Sequence, residues 1–444
     1  MTLLSLPLTN FEEYMLADDF PGHPLTIAAR LRFCGQVSEA AATQAFQRVI
    51  ERHPLLHCTV ESRGRRKMWR SSSDPIQPPR FLAQEPSSSL PALRRFDLFQ
   101  EVGGECTFYQ GEEKCEMILQ GHHACLDGVG ALQVIDDLLK SYHEAFETGG
   151  NVTPLSQLNA DLLKGRGDFG FRRWSYLKKL PKQALGIYGI HEFLNHQAVP
   201  LASSDLGDVD LTTGIHDVET LTWEPETLNS HLALAKQLSI RANELLLAAL
   251  FKSLSQWRRE RSLGDSEDWL RVMVPFNMRE FKHRKMSAAN RVSFVSVDRK
   301  ARPFHRFAEF AKGIHGQMDV IHSHDLGLTF QAFLKLRSML PGGVARLANE
   351  DDCGATAILT NLGKPLRRTG LPQREGKLCP GNLVLESLEL LPPLRPHTHI
   401  SFAACRFAGR QQITACFDRR KLTRDDAREL LRGLTQYASQ SLEA

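Results

Sequence analysis

At 444 residues the chain is too long for one ordinary domain and comfortable for two. Its 42% hydrophobic and 24% charged residues lie close to the globular average, which excludes a disordered polymer. A net charge of +4 over this length gives no general basis for nucleic-acid binding, so any basic surface must be local.

None of the nine cysteines sits in a CxxC pair, and several lie inside apolar runs, where a free thiol behaves as a small hydrophobe. A reduced, cytoplasmic setting is the expectation. Met1 to Asn10 lacks the charged region and long apolar core of a signal peptide. No run of about 18 apolar residues occurs, so no spanning helix is expected.

Taken in order, Pro7 to Glu12 reads as a helix start with Asn10 as the cap, and Pro21-Gly22-His23-Pro24 breaks that helix. Thr26 to Phe33 alternates Ile27, Ala29, Leu31 and Phe33 against Arg30 and Arg32, the pattern of a half-buried strand. Ser38 caps a helix that ends before His53-Pro54. Leu55 to Glu61, Met68-Trp69 and Cys115 to Leu119 read as strands, and Phe96 to Phe108 as extended chain. A periodic helix follows Asp127 through Val134, Ile135, Leu138 and Tyr142, and Thr148-Gly149-Gly150 stops it.

Residues 151–215 differ in composition and read as a connection. Lys164, Arg166, Arg172, Arg173, Lys178, Lys179 and Lys182 mix there with Phe169, Phe171, Trp174 and Tyr176. A solvated linker is the plain reading; CoA phosphates, an acidic carrier protein or peripheral contact with an anionic membrane are the functional ones. Gly165 to Gly170 fits GxGxxG by letters but follows helical sequence, so a dinucleotide site is rejected.

The second half repeats the plan of the first. Strands are expected at Thr220 to Trp223, Leu270 to Phe276, Arg291 to Val297, Ala355 to Leu359, Leu383 to Leu388, His399 to Phe407 and Gln412 to Phe417. Helices are expected at Glu226 to Leu238, after a Ser239 cap, near 304–322 and 328–348, and after a Thr423 cap.

The stretch that carries chemistry is Gly121 to Gly128, at the turn between the strand ending at Leu119 and the periodic helix. Successive strand residues point to opposite faces, so one of His122 and His123 can face a cleft while the other packs. A histidine free at one nitrogen and near its ordinary pKa of about 6.5 is suited to general-base work. Asp127 stands where a helix cap belongs, and capping alone would account for it. Cys125 has the look of a thiol nucleophile, but packing explains it better. No cluster with metal-ligand spacing follows, so no metal is expected.

Residues 122–128 match HHxxxDG, and this chain resembles the CoA- and carrier-protein-dependent acyltransferase superfamily. That superfamily includes chloramphenicol acetyltransferase, alcohol acetyltransferases, wax ester synthases and peptide-synthetase condensation domains. Further markers run end to end: Arg52-His53-Pro54-Leu55-Leu56-His57, Val274 to Arg279, Ala289-Asn290-Arg291-Val292 (with Ala289 where glycine is usual) and Leu359 to Gly363.

The resemblance implies an α/β fold of two subdomains, each a mixed sheet flanked by helices, in a V-shaped pseudo-dimer. Residues 1–150 would form the first, 151–215 the connection and 216–444 the second, with the motif in a tunnel between them. It implies transfer of an acyl group from a CoA or phosphopantetheinyl thioester to a hydroxyl or amine, with His123 as general base and no covalent acyl-enzyme. Asp127 would pair with an arginine, for which Arg279 is the candidate, and Gly128 would leave room for the pantetheine arm. His122 supports. Asn277, Thr360 and Asn361 are candidate oxyanion donors or tunnel residues. No permanent cofactor is implied. The partners are a small-molecule acceptor and, as the alternative donor, an acyl carrier protein, for a monomer. Alternatives are a condensation-type amide synthase and a non-catalytic relative that docks a carrier protein.

Overall fold

The computed structural model describes residues 5–440 apart from 65, 88, 154, 157, 171–179, 204, 208–213 and 305, and for 160 and 180–184 the backbone alone. Phe171, Arg172, Arg173, Trp174, Tyr176, Lys178 and Lys179 of the basic aromatic stretch therefore lie outside the described residues, as does the side chain of Lys182.

Capping fixes where the helices of the first half begin. Thr9, not Asn10, caps Asn10–Ala17: its hydroxyl accepts from the Glu12 amide while the Glu12 carboxylate accepts from the Thr9 amide. Ser38 caps Glu39–Arg52, and Asp127 caps Gly128–Glu147. These last two pack together, and Asp137 of one holds Arg52 and His53 at the end of the other, at 2.6 and 3.0 Å.

The first-half sheet has five strands in the order Val384–Leu391, Thr26–Cys34, Lys114–His122, Gly104–Gln110, Arg80–Leu82. Its first strand comes from the far end of the chain, within 216–444. Val384–Leu391 runs antiparallel to Thr26–Cys34 and buries Leu385, Leu388 and Leu390 in the first core. Each such side chain is worth about 1.5–3 kcal/mol when withdrawn from water, enough to draw the segment across. Thr26–Cys34 lies inside this sheet and is buried on both faces rather than half-buried. Arg30 lies opposite Glu389 in the register, and the two form a buried ion pair at 2.5 Å.

The second sheet has six strands in the order Val292–Lys300, Trp269–Asn277, Ala357–Asn361, Ile400–Phe407, Arg410–Asp418, His216–Trp223. Ala357–Asn361 pairs parallel on both sides and the rest pair antiparallel. Helices Ala242–Glu260, Phe307–Ser323 and Arg424–Ser439 bury their apolar stripes on this sheet's core. Ser239 does not cap the first of these. It takes a left-handed φ of 57°, and Arg241 is the N-cap, with Glu244 accepting from its amide at 3.1 Å.

Two arginines fasten the connection to both halves. Arg166 donates to both carboxylate oxygens of Glu12 at 2.6 and 2.7 Å, and both residues are fully buried. Arg291, from the second half, donates to the main-chain oxygens of Arg166 and Asp168 at 2.5 and 2.9 Å. The glycine-rich letters at 165–170 thus form the turn that this pair grips. No helix among the described residues is long and apolar enough to cross a membrane.

Candidate active site

Strand Lys114–His122 pairs with Thr26–Cys34 up to His122, and the His123 amide still donates to the Leu25 oxygen at 2.8 Å. The chain then turns, the Cys125 amide closing on the His122 oxygen at 2.9 Å, and enters the helix capped by Asp127. The turn separates the two histidines. His122 is buried, its Nδ1 accepting from the Ala124 amide at 3.0 Å and its Nε2 lying 3.8 Å from Asp19 Oδ2. His123 lines a cavity of about 1010 Å³.

The His123 ring is held in one tautomer. Its Nδ1 lies 3.0 Å from the Leu126 carbonyl oxygen. A carbonyl only accepts, and it lies nearer than the Asn290 amide nitrogen at 3.4 Å, so Nδ1 carries the proton and Nε2 keeps the lone pair. Burial lowers the pKa of this imidazole, against the opposing pull of its own and the Leu126 carbonyl oxygens and of Asp127. The neutral ring, the form that takes up a proton, is therefore favoured at neutral pH.

Asp127 faces away from that work. One carboxylate oxygen accepts from the Gly130 amide at 2.8 Å; the other accepts from the Arg279 guanidinium at 2.7 Å and the Arg291 amide at 2.8 Å. Burial would raise its pKa, but Arg279 and these amides outweigh burial and lower it. Arg279 also donates to the Ala289 oxygen at 2.8 Å. The carboxylate thus ties the turn to segment 278–291 of the second half.

Gly128 lines the cavity; a Cβ there would sit 3.2 Å from Leu362 Cδ2 and narrow the passage. Of the three polar residues read as oxyanion or tunnel candidates, Thr360 lines the cavity. Asn277 and Asn361 do not: their side-chain oxygens accept from the amides of Arg279 at 3.0 Å and Gly363 at 2.9 Å, which fixes the turns after their strands. Cys125 is fully buried, and burial pushes its thiol far above the usual range, so it is no thiolate.

Two features escaped the sequence. Asn290 had only a place in a marker motif, yet its buried amide donates to the His123 oxygen at 2.7 Å. Helix Leu180–Asn195, read as linker, is a wall of the cavity, contributing Leu185, Ile190 and Phe193. Its signal was a charge-free run from Ala184 to Ile190, which a solvated linker has no need of.

No family model matches the sequence, and no curated protein does. Solved structures do match over nearly the whole chain. The first condensation domain of the CDA synthetase aligns with a TM-score of 0.70 at 13% identity, covering 98% of this chain and 96% of that one. This is the condensation-domain and chloramphenicol acetyltransferase-like fold. Two further structures share it. The trichothecene 15-O-acetyltransferase TRI3 from Fusarium sporotrichioides aligns at TM-score 0.68 and 9% identity, covering 98% and 95%. Polyketide synthase associated protein 5 from Mycobacterium tuberculosis aligns at 0.64 and 15%, covering 98% and 99%. At these identities the shared property is the fold.

Proposed function

We propose that the protein is an acyltransferase that moves an acyl group from a CoA or carrier-protein thioester to a hydroxyl or amine. The observation that carries this reading is His123: a ring fixed in one tautomer, kept neutral by burial, on the wall of a large cavity between the two halves. The acceptor O–H or N–H gives its proton to Nε2 as its heavy atom attacks the thioester carbonyl carbon. The oxyanion of the tetrahedral intermediate then re-forms the carbonyl, the C–S bond breaks, and the imidazolium returns the proton to the departing thiolate. A positioned base of this kind contributes roughly 10²–10⁴-fold. Asp127 and Arg279 hold the turn, Asp127 at the edge of the cavity with its carboxylate bound to Gly130, Arg279 and Arg291. Thr360 is the oxyanion or tunnel residue that remains, because Asn277 and Asn361 do not line the cavity.

The structural neighbours include both an O-acetyltransferase and a peptide-synthetase condensation domain, so ester and amide formation both belong to the reading. The condensation-domain neighbours also favour an acyl carrier protein as the donor's bearer. The test is thiol release from acyl-CoAs and acyl-pantetheinyl carriers, offered with alcohols and amines, by wild type and His123→Ala. Loss of release in the variant is expected. Turnover that survives His123→Ala, or a wild type inert toward every donor, would sink the proposal in favour of another base or of a protein that only docks carriers.

A further inference from the structure

The cavity has a direction, and the strand register supplies its scale. The floor is one face of the second sheet, where Trp269–Asn277 and Val292–Lys300 present the opposed pairs Pro275–Phe294, Met273–Ser296 and Arg271–Asp298. His123 stands at the start of this floor, because Asn290, which holds it, lies two residues before the Val292–Asn277 pair that opens the register. Six residues separate Asn277 from Arg271, about 20 Å at ~3.3 Å per strand residue.

Along that length the floor is apolar or uncharged until Arg271 and Asp298. There the ion pair closes on itself at 2.8 Å with both side chains buried. The same guanidinium donates to the main-chain oxygens of Phe193 and His196 at 3.0 Å each and lies 4.1 Å from the Phe193 ring. The wall helix Leu180–Asn195 is thereby pinned to the floor at this end. Arg395 on the wall is likewise neutralised by Asp18 at 2.5 Å. The Arg271, Asp298, Arg395 and Asp18 charges are thus paired, and the floor accommodates a hydrocarbon from the histidine to the Arg271 wall, with Glu192, Asp351 and Asp352 also bordering the cavity.

We infer that this chamber measures an unbranched, uncharged hydrocarbon chain carried by one of the two substrates, with the Arg271–Asp298 pair as the stop. The inference rests on the acyl-transfer reading for its reactive end. An extended chain advances about 1.2 Å per bond, so ~20 Å admits about sixteen bonds. The chain is either the acyl group of the donor or the alkyl group of the acceptor, and both place the same chemistry against the same wall.

The test is calorimetric binding to the full-length protein in two arms: S-alkyl-CoA thioethers, which cannot react, and 1-alkanols, each from hexyl to eicosyl. In the arm that matches the true source, affinity rises roughly fourfold per methylene and stops rising near sixteen bonds. Met273→Trp, about 13 Å along the floor, moves the stop to about eleven bonds. Ser296→Phe, on the opposed residue, gives the same shift should the first variant fold poorly. No length dependence in either arm, or a stop that stays put in folded variants, overturns the inference. Because these probes need no turnover, the two readings fail separately. A stop without thiol release from any donor sinks acyl transfer alone. His123-dependent release without a stop sinks the chamber alone.

Discussion

The side-chain amide of Asn290 donates to the main-chain oxygen of His123 at 2.7 Å, a contact made from the second half of the chain onto the first. With the Leu126 oxygen on Nδ1, it fixes both the backbone and the ring of the proposed base. Asn290→Ala leaves the His123 oxygen without this donor. The expected result is a fall in kcat with KM little changed, together with a stability loss of about 1–3 kcal/mol by urea denaturation. A rise in KM alone would show that Asn290 serves substrate binding instead.

The pH profile follows from burial. His123 must be neutral to accept a proton, and its pKa is lowered from 6.5. The acid limb of kcat/KM is therefore expected below pH 6.5, with activity lost as the pH falls through the lowered value. A limb above pH 6.5 would mean that another group titrates.

Arg279, itself only partly buried, pairs with the buried Asp127 carboxylate. Arg279→Ala leaves a buried carboxylate with only the Gly130 and Arg291 amides, and should cost about 3–5 kcal/mol. The double variant with Asp127→Ala should cost less than the sum of the single ones, since the second change removes the stranded charge. Additivity in that cycle would show that the two residues act independently.

Cys125 should be dispensable for turnover. Its sulfur packs against Gly103 so closely that a Cβ on that glycine would fall 2.5 Å from it. Cys125→Ala would leave that space empty, so the melting temperature should drop while thiol release per folded molecule stays at the wild-type level. Abolished release with the fold intact would restore the cysteine as a nucleophile.

A second pH effect lies away from the cavity. His216 and His399 are buried, and burial lowers the pKa of each to about 4, with Asp418 nearby opposing the shift. The unfolded chain binds those protons near the ordinary value of 6.5, so stability is full above pH 6.5 and lost between 6.5 and about 4. Each histidine contributes a slope of up to ~1.4 kcal/mol per pH unit in that window. His216→Gln and His399→Gln should flatten the dependence of the melting temperature on pH. An unchanged slope would assign acid sensitivity to other groups.

Much of this molecule was legible in the sequence because the relevant physics is local. Asp127 at the start of a periodic helix and Ser38 and Thr423 as caps follow from spacing and capping chemistry, as does a strand before the motif, although it runs on to His122 rather than stopping at Leu119. The two-residue period of a strand predicts that one of His122 and His123 packs while the other faces a cleft, although the turn that starts at His123 is what separates them. What the sequence could not supply depends on which distant segments meet. Nothing local marks Val384–Leu391 as the strand that leaves its neighbours for Thr26–Cys34, because a leucine-rich strand suits any open edge. Asn277 and Asn361 resemble oxyanion donors until the cavity is seen to leave both out of its lining. Helix Leu180–Asn195 becomes a wall only when Arg271 pins its end. The sequence alone determined where the proposed base would sit and what would cap the helix behind it. Tertiary structure decided what that base faces, because a cavity belongs to no single segment and exists only once both halves have packed around it.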